Sequence, residues 1–298
     1  MVKKMYLLIL SIICCSLVST YTSCSKEIEI NTRGFEKRVV VNSVFNPGNQ
    51  FFFQFSYTKI PINPYSTITD SIHILLYEDT HKILDTKILS DTLATKIYPT
   101  WGRSYSIKVK MAGFDTISAL DTLPMLVSIV DATIIQPISI DRYGTKISQA
   151  SITFFDPPNQ RNYYELIFVN AQYDYETKIT DPVLLNEGDV GYLPTTYFFS
   201  DELFNGQKYT LRINRDLGFG FPVNVKVILR SVSRNYYLYR KYWTRHFFNQ
   251  TTDESGLRGI IYKAEPQPMF NNIVNGYGIF AGYVENLPYT LRKIENEK

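Results

Sequence analysis

The chain has 298 residues, 45% of them hydrophobic and 15% aromatic, with 31 Lys and Arg against 28 Asp and Glu for a formal charge of +3. So small a basic excess argues against a nucleic-acid-binding protein, which concentrates positive charge on its contact face. The length supports a sizeable core and suggests two domains.

Lys3 and Lys4 precede an apolar run, Tyr6 to Val18, that is too short for a spanning helix of roughly 20 residues. It fits the h-region of a secretory signal. The three cysteines, Cys14, Cys15 and Cys24, all lie in this front end. Small residues lead to Cys24 in "YTSC", which resembles a bacterial lipobox, with Tyr21 where leucine is usual. That resemblance implies cleavage before Cys24, acylation of its sulfur (diacylglycerol and palmitate), and attachment to membrane lipid without spanning. The alternative is an ordinary cleaved signal with an incidental cysteine. Residues 1–23 are thus expected as a lipoprotein signal peptide and 24–35 as a tether. The tether's "SKEIEI" resembles the acidic signal that sends lipoproteins of Bacteroidetes to the outer face of the outer membrane, or is simply a solvated linker. No later segment has 18 consecutive apolar residues, so no transmembrane helix is expected.

The body reads mainly as β-strands, because Tyr, Phe and β-branched residues suit pleated, half-buried surfaces. "KRVVVNSVF" (37–45) ends at the turn signal "NPGN". In 50–59, Phe51, Phe53, Phe55 and Tyr57 share one face by period two, as a core face or as a sugar-stacking platform. "SIHILLYE" and "HKILDTKIL" read as a strand pair, and Trp101-Gly102 as a turn before alternating Tyr105, Ile107, Val109 and Met111. Short strands at regular spacing predict a β-sandwich over 36–125.

The second half, 126–290, opens with a long apolar strand at "MLVSIVDATIIQPI". Strands follow on both sides of Asp156-Pro157-Pro158. Residues 171–192 read as a long loop, a candidate carrier of binding contacts. Asn205-Gly206 predicts a hairpin turn, and 222–232 another strand. Residues 233–250 lack Gly and Pro, and Ser233 can cap a helix. At 100° per residue Tyr236, Tyr239, Trp243 and Phe247 share a face, with Arg234, Lys241 and Arg245 opposite. The spacing predicts one long amphipathic helix with its aromatic stripe on a sheet; a membrane-surface helix is the alternative. "NNIVNGYGIFAGYV" reads as a last strand, and 291–298 as a tail.

Several pieces carry a family resemblance: the opening "VVVNS", "D-P-x-x-x-x-N-Y-Y" at Asp156 to Tyr164, "SDELFNGQ", "SVSRNYYLYRKY", and "N-I-x-N-G-x-G-I-F" at Asn272 to Phe280. Together they resemble the lipoprotein family of Bacteroidetes called "domain of unknown function 4249", over nearly all of the mature chain. The resemblance implies an immunoglobulin-like β-sandwich at 36–125. It further implies location and company, with a gene neighbour encoding a TonB-dependent outer-membrane receptor, while the residues themselves read as a second antiparallel β domain at 126–290 with the helix near 233–250.

Motifs for chemistry are scarce. His73, His81 and His246 do not form "HExxH", and neither "GxSxG" nor "GxxxxGK[ST]" occurs. Asp174, Glu176 and Asp181 lack the periodicity and glycine of a calcium loop. The expectation is a non-enzyme with no catalytic residue, metal or cofactor, lipidated at Cys24. It would face the cell exterior from the outer membrane as a binding or accessory subunit of a TonB-dependent nutrient-uptake system. The alternatives are a surface hydrolase that processes a peptide or glycan before import and a structural or adhesive lipoprotein.

Overall fold

The computed structural model describes residues 36–59, 68–144, 146–169, 177–188, 195–216, 225–250 and 268–295. The signal and the whole tether, Cys24 included, lie outside the described residues. Lys37–Lys298 forms one compact unit, and its described part is mainly strand.

A single eight-stranded sheet organises the unit. Its strands are β1 (Val39–Phe45), β2 (Phe52–Tyr57), β5 (Thr92–Ala94), β10 (Tyr163–Val169), β12 (Thr196–Ser200), β14 (Lys226–Val232), β15 (Tyr277–Glu285) and β16 (Tyr289–Thr290). They run in the order β12-β10-β14-β15-β1-β2-β5, with β16 against β14. β1 and β15, from opposite ends of the chain, pair in parallel with Val41 beside Gly278.

The first half of this sheet faces a four-stranded sheet of order β4-β3-β6-β7, formed by β3 (Ile72–Glu78), β4 (His81–Ile88), β6 (Ser104–Lys110) and β7 (Ile117–Thr122). Between them lies an apolar core that includes Phe45, Phe51, Phe53, Phe55, Tyr105 and Phe280. The alternating aromatic row of β2 is therefore a core face: Phe51, Phe53 and Phe55 are buried while Phe52 between them is 48% exposed. Phe51 and Phe53 stack at 6.0 Å. Burying each such ring contributes roughly 2–3 kcal/mol.

The second half of the same sheet face meets a five-stranded sheet of order β11-β13-β9-β8-β17. Its strands are β8 (Ile129–Ile140), β9 (Lys146–Phe155), β11 (Thr177–Lys178), β13 (Lys208–Asp216) and β17 (Arg292–Glu295). Phe154, Tyr164, Leu166, Phe199 and Leu229 belong to this core. The two cores divide between Leu126 and Val127. The sheet nevertheless crosses that point, because Phe280 and Val284 of β15 complete the first core.

The sheet's other face carries α2 (Arg234–Gln250). The Ser233 hydroxyl accepts the Tyr236 amide at 3.1 Å, which satisfies an otherwise orphaned donor in the first turn. Ile279, Ala281 and Val232 pack beneath Tyr236 and Tyr237. Cross-strand partners share a face: Glu165 lies beside Arg230, and Arg230 beside Glu285.

Five expectations change in the structure. Residues 171–192 are not all loop, since 177–188 holds β11 and a second helix, α1 (Pro182–Glu187); 171–176 and 189–194 lie outside the described residues. Asn205-Gly206 is a turn, with Gly206 at φ 73°, but it joins strands of different sheets and makes no hairpin. Within the expected tail, Arg292–Glu295 pairs in parallel with β8. Lys241 does not face solvent: its ammonium reaches Glu187 beneath the helix. In place of an all-aromatic stripe, α2 turns Tyr236, Tyr237, Arg240, Lys241 and Thr244 inward, while Phe247 is 48% exposed. The cause is two acids, Glu165 and Glu187, on the surface it covers.

Candidate functional site

Two neighbouring loops lock together by side-chain substitution for backbone partners. The Asp156 carboxylate accepts the Gly206 amide at 2.7 Å and the Tyr164 hydroxyl at 2.5 Å. Burial, reinforced by that carboxylate, pushes the Tyr164 hydroxyl pKa well above its usual value. Asn162 donates its backbone N–H to Asp201 at 2.8 Å and its side-chain amide to the Pro157 carbonyl at 2.9 Å. Asn205 bonds the Gln160 carbonyl at 3.0 Å. The spaced Asp, Asn and Tyr of 156–164 are thus a loop clamp, and it holds Gln160 and Arg161 in place.

The motif at 272–280 also uses side chains in place of backbone partners. Asn272 both donates to the Phe280 carbonyl at 2.7 Å and accepts the Phe280 amide at 3.0 Å, as a neighbouring strand would. Gly278 has φ 119°, and a Cβ there would stand 2.1 Å from the Val41 carbonyl oxygen. Only glycine lets β15 approach β1 so closely. Asn275 and Asn235 bond the Thr116 and Leu120 carbonyls, which covers part of the open edge of β7.

Beside the clamped loop lies a cleft of about 630 Å³. One wall is the end of β7 and the following strap, with Leu120, Pro124 and Met125. The other is the clamped loop, with Gln160 and Arg161, and the start of α2, with Arg234 and Asn235. Its size falls in the range of small-ligand sites, roughly 300–1,000 Å³. At the base sits Asp121, 6% exposed. It accepts the Gly282 amide at 2.7 Å and Asn235 at 2.8 Å, tying β7 to β15 and α2. Burial raises its pKa to about 6, and the bonds from Ser233, Gly282 and Asn235 only partly oppose that.

Beneath α2 lie two buried acids. Glu165, fully buried, binds Arg230 at 2.8 Å, Tyr236 at 2.9 Å and Arg240 at 3.2 Å. Glu187 accepts Lys241 at 2.8 Å, Ser200 and Tyr237. Burial works against ionising Glu187, but the Lys241 ammonium and the Tyr237 hydroxyl bring its pKa net below the usual range. These pairs fix the helix over the sheet, which supports the cleft wall.

The residues singled out from sequence fall elsewhere. Cys24, Asp174 and Glu176 lie outside the described residues. Asp181 caps α1 through Val183 and also accepts Tyr209 and the Arg212 amide, so its oxygens serve the fold. His73 bonds Asp85 at 2.8 Å on a strand face, His81 opens β4, and His246 is half-buried on α2. Glu165 and Glu187 were missed, although an acid inside the apolar run "YYELIFV" signals a buried partner. Arg161 was missed, and Arg234 was read only as part of a polar helix face, because the two line one cleft only in three dimensions.

No curated protein matches the chain. The family model described as "Domain of unknown function (DUF4249)" matches residues 25–286, and the chain therefore belongs to that family.

Proposed function

We propose that the protein is a lipid-anchored outer-membrane subunit that binds rather than catalyses, working beside a TonB-dependent receptor in nutrient uptake. The observation that carries this reading is the cleft: a preformed, ligand-sized concavity whose lining mixes exposed apolar side chains with amide and guanidinium donors. Such a lining holds a molecule by burial and directs it with a few polar groups. The fold supports it, since the cleft's walls are fixed by clamped loops and by the ion pairs under α2. The lipobox-like "YTSC" supports the anchor at Cys24, and we read 36–125 as an immunoglobulin-like sandwich presenting β7 to the cleft. A lipid tether would keep that cleft near a transporter mouth at high effective concentration.

The test is location. Intact cells are treated with a protease, and membranes are fractionated from wild-type and Cys24→Ser strains. The reading expects palmitate label and outer-membrane recovery in the wild type, protease sensitivity from outside, and loss of label in Cys24→Ser. A wild-type protein recovered unlabelled in the soluble fraction defeats it.

A further inference from the structure

We propose that the cleft takes a carboxylate carried on an apolar body, with Arg234 and Arg161 holding the carboxylate and Leu120, Met125 and Pro124 covering the body; this rests on reading the protein as a binding subunit. One wall exposes apolar side chains in a concave place. Leu120 is 61% exposed and Met125 53%, and both line the cleft. Removing such surface from water is favourable by roughly 25 cal/mol per Å², so an apolar ligand body gains there.

The other wall carries the charge. Asp121 is the lining's acid, and its oxygens are turned inward and occupied by the Gly282 amide and Asn235. Arg234 is exposed at the first residue of α2, whose first turn holds no acid. Arg161 stands 3.6 Å from Asp201 and 3.7 Å from Glu202, beyond hydrogen-bond length. Asp201 Oδ1 is buried with no hydrogen-bond donor among the described residues, so the guanidinium of Arg161 has not closed on it. Arg161 is thus held only loosely, in two long ion pairs with carboxylates outside the lining, and its planar fork can turn from them to a ligand carboxylate. The cleft therefore shows guanidinium donors on one wall and bare aliphatic surface on the other. A carboxylate on an apolar body matches both walls at once. Two sources share that chemistry, a short peptide's C-terminus and a short fatty acid.

The probes are N-acetyl-leucyl-leucine, its C-terminal amide, and hexanoate, titrated calorimetrically into the full-length protein purified from membranes in detergent. At least one carboxylate should bind, and the amide should bind at least tenfold more weakly. Arg234→Ala should weaken the bound carboxylate about tenfold, the loss expected for one charge-assisted bond. Met125→Ser, on the opposite wall, should weaken it severalfold. Neither exposed substitution should move the melting temperature by more than a degree or two. Binding of the peptide alone points to peptides, and of hexanoate alone or of both to apolar carboxylates generally. The proposal is overturned if neither carboxylate binds, if the amide binds as tightly as the acid, or if Arg234→Ala and Met125→Ser bind like the wild type. Receptor association is measured separately, so a wild-type protein that still carries a receptor while failing these titrations refutes the ligand class and leaves the subunit reading standing.

Discussion

Glu165→Ala removes the charge on which α2 is seated. In the folded chain this carboxylate is fully buried and neutralises two guanidiniums, Arg230 at 2.8 Å and Arg240 at 3.2 Å, whose side chains are only 20% and 26% exposed. It also accepts the Tyr236 hydroxyl at 2.9 Å. Without it, Arg230 keeps Glu285 at 2.7 Å. Arg240 is left with the faces of Phe198 and Trp243, at 5.3 and 5.2 Å. Breaking a buried pair by deleting one partner costs about 3–5 kcal/mol, chiefly because the remaining charge is stranded. Against a stability of roughly 5–15 kcal/mol that is a large fraction. At about 2–4 °C per kcal/mol for a body of this size, the melting temperature should fall by roughly 6–20 °C. Thermal unfolding followed by circular dichroism reads the shift, with Arg234→Ala as the exposed control on the same helix. A Glu165→Ala protein melting within about 2 °C of wild type would show that the ion pairs do not seat the helix.

Lys241→Ala should also destabilise, by about 2–4 kcal/mol in denaturant titrations, because it strands Glu187, whose side chain is 6% exposed; an unchanged midpoint would contradict the observed pairing. Gly278→Ala places a Cβ 2.1 Å from the Val41 carbonyl oxygen at φ 119°. It should cost at least about 3 kcal/mol or prevent folding, and wild-type yield and melting would refute the close approach. Asp121 should titrate with a midpoint near 6 by carboxyl-carbon NMR. Its folded pKa is raised, so the folded state holds the proton more tightly. Its contribution is therefore favourable at low pH and lost as pH rises from about 4 through about 6, by roughly 3 kcal/mol in all. Asp121→Asn should flatten that part of the stability–pH curve, and a carboxyl midpoint near 4 would rule the shift out.

Much of the fold could be read along the chain because the signals are local. The row Phe51, Phe53, Phe55 and Tyr57 alternates mostly with polar residues, Gln54, Ser56 and Thr58, so period two placed it on a core face. Ser233 at the head of a Gly- and Pro-free run marked the start of α2. The failures share a cause: each depended on what lay opposite. Lys241 looks solvent-facing on a helical wheel, and only the position of Glu187 makes it inward. Asn205-Gly206 has hairpin chemistry, yet its flanking strands are drawn into different sheets because Asp156 and Asp201 tie the turn to another loop. Arg292–Glu295 carries no strand signal of its own and is ordered by the open edge of β8. The cleft was the least legible element, since Leu120, Arg161 and Arg234 come from three distant segments.

The proposed partnership at the outer membrane is tested most directly by affinity purification of the tagged, full-length protein from gently solubilised native outer membranes. A TonB-dependent receptor should be recovered with it in near-stoichiometric amount, and the complex should be depleted when Cys24→Ser prevents anchoring. Recovery of the wild-type protein by itself, from membranes in which such receptors are abundant and intact, would contradict it.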